Sequence, residues 1–177
     1  MRRLLLTGLV AVAALTGAVT AHADGDPASD TLLYANAYLP YAASPKSTAS
    51  ALQHAIAAVY ADDSRVKVAV IQSRDDLGAI PSLFGKPTTY ATFLGREISG
   101  VYVGPLLIVM PKGYGIYDGG RSVVAEQNVL GGLPSPGTTS AELVSAAATA
   151  VTKLEQARAL LSKDILAPFV QPLQARV

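Results

Sequence analysis

Two short apolar runs limit most severely what this chain can become. Residues 66–71 are apolar except at Lys67, and residues 106–110 are apolar throughout. Neither alternates, so neither suits a strand with one wet face; unbroken runs of this length suit strands covered on both sides, as in a parallel sheet. Such strands need helices above and below them.

The helices are legible between the runs. Ser44-Pro45 predicts a start, with Ser capping and Pro at the first helical position, and Leu52, Ile56 and Val59 follow at helical spacing to an end near Asp62 and Asp63. Pro87 opens a second helix, with Tyr90, Phe93, Leu94 and Ile98 on one face. Thr139 and Glu142 make a capping box for the last one, whose stripe is Leu143, Ala147, Ala150, Leu154, Ala157 and Leu161. Residues 115–118 predict a short third strand, and 119–137, with two Gly-Gly pairs and two prolines, read as loop.

The order helix, strand, helix, strand, strand, helix predicts an α/β chain: a three-layer α/β/α sandwich with a small, mostly parallel sheet over residues 44–163. An acidic, tyrosine-rich lead-in, 24–43, precedes it. Within this lead-in, 24–30 is expected to be disordered, and 31–42, limited by Pro40, to form an edge strand or irregular chain. Residues 164–177, broken by Pro168 and Pro172, are expected to fray.

Residues 1–23 read as a signal peptide. Arg2 and Arg3 precede the apolar residues 4–15, and Ala21-His22-Ala23 offers small residues at the cleavage positions, so the mature chain is expected to start at Asp24. No cysteine is present to take a lipid. The chain is therefore expected outside the cytoplasm, secreted or in the cell envelope, with no stable membrane anchor after cleavage. Of 14 Lys and Arg residues two leave with the signal, so 12 remain against 13 acidic ones. Such a balance, without a basic cluster, excludes nucleic acid as an expected partner.

The runs VKVAVIQSRDDLG, TTYATFLGREI and GPLLIVMPKGYGIYDGG resemble the TPM domain, an α/β/α module of exported bacterial and thylakoid proteins, and small exported actinobacterial proteins. The likeness spans about residues 47–160, with 68–71, 106–109 and Gly113-Tyr114-Gly115 in the places of the family's strands and its Gly-x-Gly segment. It implies the same α/β/α fold and, for some members, divalent-metal binding and phosphatase activity. Where the family carries acidic residues and Asn before the second strand, this chain has Val101, Tyr102, Val103 and Gly104.

Familiar catalytic sets fail by elimination. Only His54 remains after cleavage, two positions from Leu52 and so off the apolar face of its helix. A zinc site of several His or Cys ligands, a cysteine nucleophile and a Gly-x-Ser-x-Gly elbow are all absent from the sequence. Gly85-Lys86 runs into Pro87, and Gly113-Tyr114-Gly115 runs into a strand, so neither makes a phosphate loop.

In a parallel sheet, ligands sit beyond the carboxyl ends of the strands. Those ends carry Arg74, Asp75 and Asp76 after the first run and Lys112 and Tyr114 after the second, which makes these five the candidate ligand-binding residues. The expected function is non-catalytic: binding of an envelope or extracellular protein, or of a small ligand, with no cofactor. Tyr34, Tyr38, Tyr41, Tyr102, Tyr114 and Tyr117 are candidates to line a groove, although a chain without Trp also needs tyrosine as core bulk. The alternative is a divalent-metal-dependent phosphatase of the TPM-like kind, with Asp75, Asp76 and Asp118 holding calcium or magnesium. Against the metal stands turn chemistry, in which one aspartate accepts from local backbone N–H groups.

Overall fold

A computed structural model describes residues 25–62 and 64–174, with side chains to Ser162. The expected signal peptide, Asp24 and Asp63 lie outside the described residues. Among the described residues, five α-helices and one sheet follow each other as α1 (Pro27–Tyr34), β1 (Ala37–Tyr38), α2 (Lys46–Ala61), β2 (Lys67–Val70), α3 (Pro87–Glu97), β3 (Pro105–Met110), β4 (Gly113–Asp118), α4 (Val124–Gly131) and α5 (Ser140–Gln174).

The sheet runs β1-β2-β3-β4, with the first three strands parallel and β4 antiparallel to β3. Strand residues alternate between two cores. Val68, Val70, Leu107, Val109 and Ile116 meet α2, α4 and α5 on one face, while Ala69, Ile71, Leu106, Ile108 and Met110 meet α1 and α3 on the other. The molecule is thus the α/β/α sandwich that the two apolar runs predict. The strand order advances one way while α2 and α3 lie on opposite faces, so the two crossovers have opposite hands. One therefore departs from the right-handed rule.

Residues 31–42 supply the expected edge strand, β1, but the stretch 25–30, expected to be disordered, is ordered and opens a helix. Asp26 caps α1, its Oδ1 accepting from the Ala28 amide at 3.1 Å, and Pro27 takes the first helical position. Ala28, Leu32 and Tyr38 are buried in the second core. Lys67, the one charged residue in its run, donates from Nζ to the Leu32 and Ala35 carbonyls, each at 2.6 Å, and its ammonium lies 5.2 Å from the centre of the Tyr102 ring. It ties the end of α1 to the sheet as a cation at a helix C-terminus. Burial lowers its pKa.

Three boundaries differ from expectation. Pro45, not Ser44, stands at the cap of α2 without a side-chain bond, and the Ser44 hydroxyl meets that of Ser140 instead. The expected loop contains α4, a short helix that buries only Leu130 and so carries little periodicity. The helix α5 starts from the expected box, in which Glu142 Oε2 accepts from Thr139 N at 2.9 Å and Thr139 Oγ1 accepts from Glu142 N at 3.2 Å. The Thr139 amide, the Thr138 amide and the Thr139 hydroxyl, all donating to its carboxylate, hold the Glu142 pKa below the usual range. Its stripe is buried through Val151, but Leu161 is exposed, and the helical backbone continues to Gln174 through the stretch expected to fray. Nothing in the described packing accounts for that continuation.

The buried Asp26 sets a pH dependence. The Tyr90 hydroxyl donates to both carboxylate oxygens, each at 2.8 Å, yet desolvation outweighs these bonds and raises the Asp26 pKa above 3.8. The folded chain therefore binds more protons than the unfolded one between 3.8 and the raised value. That contribution is complete below 3.8 and is lost as pH rises through the folded pKa. In urea titrations the stability of the natural chain relative to Asp26→Asn is expected to increase as pH falls through this window. A pH-independent difference would show that Asp26 does not titrate abnormally.

Candidate functional site

The C-terminal ends of β2 and β3 lie at one end of the sheet, since Val70 pairs with Val109, and β4 starts there with Gly113 opposite Met110. The turns carrying Arg74, Asp75 and Asp76 and those carrying Lys112 and Tyr114 therefore leave the same end of the molecule. They do not do the same work.

Asp76 points inward. It is 1% exposed, its Oδ1 accepts from the Tyr41 amide at 2.8 Å, and its Oδ2 accepts from the Gln72 and Ser73 amides at 2.8 Å each. This is the turn chemistry that competes with a metal, extended to a second segment through Tyr41. The Tyr38 hydroxyl also donates to the Asp76 carbonyl, at 3.2 Å. Asp75 and Arg74 are exposed at the start of a single 3-10 turn, Asp75–Leu77.

Asp118 lies elsewhere. It pairs with Pro105, the first residue of β3, and so stands at the opposite end of the sheet from Asp75 and Asp76, where Arg121 approaches it at 3.7 Å. Antiparallel return of β4 carries it there. The three aspartates therefore do not form one site, and among the described residues no group of three or more His, Cys, Asp or Glu is placed to hold a metal ion.

Lys112 and Tyr114 do share a groove. About 350 Å³ in volume, it runs along Lys112–Ile116 and is walled by Thr88 at the start of α3 and by Gln127, Leu130 and the segment 133–136 after α4. The Tyr114 hydroxyl donates to the Pro134 carbonyl at 3.1 Å, and beyond that contact a second hollow continues toward Glu142 and Ser145. Burial raises the Tyr114 pKa, so its hydroxyl stays a neutral donor. Gly115 lets β4 and α3 approach at the groove floor: a Cβ there would stand 2.2 Å from the Pro87 carbonyl oxygen.

Compared with known proteins, the chain matches no family model, no curated protein and no solved structure.

The other tyrosines divide between core and surface. Tyr38 and Tyr102 are buried, with Tyr102 donating to the Pro105 carbonyl at 2.9 Å, and Tyr117 packs on Gly95 beneath α3. Tyr34 and Tyr41 are exposed and away from the groove. His54 is exposed on α2, as its spacing predicts. Sequence reasoning missed the second wall, Gln127 to Pro136. Its signals are weak: Leu130 and Leu133 at helical spacing, then Pro134 and Pro136 on either side of Ser135.

Among the described residues no helix is long and apolar enough to cross a membrane. The groove offers one cation, the hydroxyls of Thr88, Tyr114 and Ser135, the Gln127 amide and apolar walls. Such a lining has the chemistry to recognise a ligand by shape and hydrogen bonding. A hydroxyl nucleophile there has no histidine or carboxylate in the lining to take its proton.

Proposed function

We propose that the chain is an exported binding module, TPM-like in its α/β/α design, that holds a protein segment or small ligand non-catalytically beside Tyr114. It acts in the cell envelope or outside the cell. The observation that supports this reading is the groove itself: concave, mixed in polarity, and built where two strands of the sheet turn.

Two measurements test it. The intact mass of the chain recovered from envelope and medium should begin at Asp24, and a product retained inside the cell with Met1 would contradict export. For binding, a fragment library should produce amide shifts confined to 112–116 and 127–136. Gln127→Trp, at an exposed position on the groove wall, should weaken those fragments at least tenfold without changing the melting temperature. Absence of shifts at both segments would overturn the binding site.

A further inference from the structure

The occupant of the groove follows from the free edge of the sheet. At one side the sheet ends in β1, two residues long; at the other it ends in β4, six residues with no proline. Long bare edges invite another strand.

The ladder gives the hydrogen-bond phase of that edge. Val109 stands opposite Tyr114, and the Val109 carbonyl accepts from the Ile71 amide at 2.9 Å, on the β2 side. Amide and carbonyl of an extended residue point to the same side, so Val109 faces β2 and Tyr114, its opposite, faces away from β3. Two residues on, Ile116 does the same, and so does Asp118, whose carbonyl is taken by the Arg121 amide at 2.8 Å. For the Tyr114 and Ile116 backbone groups, no partner occurs among the described residues.

The Tyr114 groups border the groove, which straddles the edge, with Thr88 on one face of the sheet and Gln127 and Leu130 on the other, whereas Ile116 is buried at 3% exposure. Lys112 is the one charged residue of the lining, is exposed, and has no carboxylate partner among the described residues.

Resting on the groove reading above, we propose that an extended peptide of a partner protein docks along β4 as a fifth strand. It exchanges main-chain hydrogen bonds with Tyr114, and an acidic side chain meets Lys112. Walls stand beside the edge on both faces of the sheet. A second copy would bring its own walls into the same 4.7–4.9 Å strand spacing, so a lone extended peptide is the simpler occupant.

The test uses a displayed library of random eight-residue peptides on the purified chain 24–177. Selected peptides should alternate β-branched residues and carry Asp or Glu at one end. N-methylation of alternate peptide amides should weaken binding at least tenfold in one phase and leave the other phase unchanged. Amide exchange should slow on binding at Tyr114, while the buried Ile116, and Gly115 and Tyr117, already paired with β3, should barely change. Lys112→Glu should reverse the preference for acidic peptides. Peptides that shift the 112–116 amides but tolerate N-methylation in both phases would overturn strand addition and leave the groove as a binding site. Fragments that bind where no peptide does would have the same consequence, and failure of both libraries would remove the groove reading as well. A concentration-dependent dimer that protects the Tyr114 amide would also overturn the proposal, in favour of a second copy.

Discussion

Gly115→Ala is expected to destabilise the chain by about 3 kcal/mol or more. The added Cβ would meet the Pro87 carbonyl oxygen at 2.2 Å, its carbon at 2.3 Å and the Thr88 nitrogen at 2.6 Å. All three are backbone atoms at the start of a helix, so no rotamer can relieve the contact. Either α3 lifts from β4, pulling Tyr90, Ala91 and Leu94 out of the second core, or β4 moves away and breaks its pairing with β3. Gly131→Ala provides the control. Nothing lies within 4 Å of a Cβ there, and the change is expected to stay within about 1 kcal/mol. Urea titrations of the two variants check both values. An unchanged midpoint in Gly115→Ala would mean that α3 is not seated on the strand.

Asp76→Ala is expected to cost about 3–5 kcal/mol, whereas Asp75→Ala should stay within about 0.5 kcal/mol. Removing the Asp76 carboxylate strands three amides, those of Tyr41, Gln72 and Ser73, each of which donates to it at 2.8 Å. Each uncompensated group costs about 1–3 kcal/mol, and the half-buried ones recover part of that from water. Asp75 is exposed, with its amide served by Ser73 Oγ at 3.2 Å rather than by its own carboxylate. Asp76→Asn, which keeps an acceptor oxygen, should fall between them. Equal effects at the two positions, or a melting temperature raised by calcium or magnesium in the natural chain and not in Asp75→Ala, would restore the paired-ligand reading.

Asp76 also marks the limit of reading residues in order. Adjacent aspartates at the end of a buried strand carry the same letters whether they bind a cation or their own backbone. The decision came from Tyr41, 35 positions away, whose amide completes the cradle. Asp118 departs from its expected place for a similar reason. Its sequence neighbours do not state that β4 turns back along β3, and only the ladder puts it opposite Pro105. Asp26-Pro27 carries the letters of a helix start, but the short acidic stretch around it has little apolar surface of its own to announce a buried helix. Leu32 and Tyr38 become core only against Ala69 and Ile71.

By itself the sequence determined the elements whose residues satisfy one another locally. The Thr139–Glu142 box, the spacing of Leu52, Ile56 and Val59, and the two unbroken apolar runs each encode their conformation within a few positions, because helix and strand periodicities act at that range. Tertiary structure alone decided how those elements meet: the opposite hands of the two crossovers, the burial of α1 through Lys67, the second groove wall on α4, and the outward phase of Tyr114 and Ile116. Each depends on which atoms lie across a gap from which others, and distances of that kind are created only when the chain closes on itself.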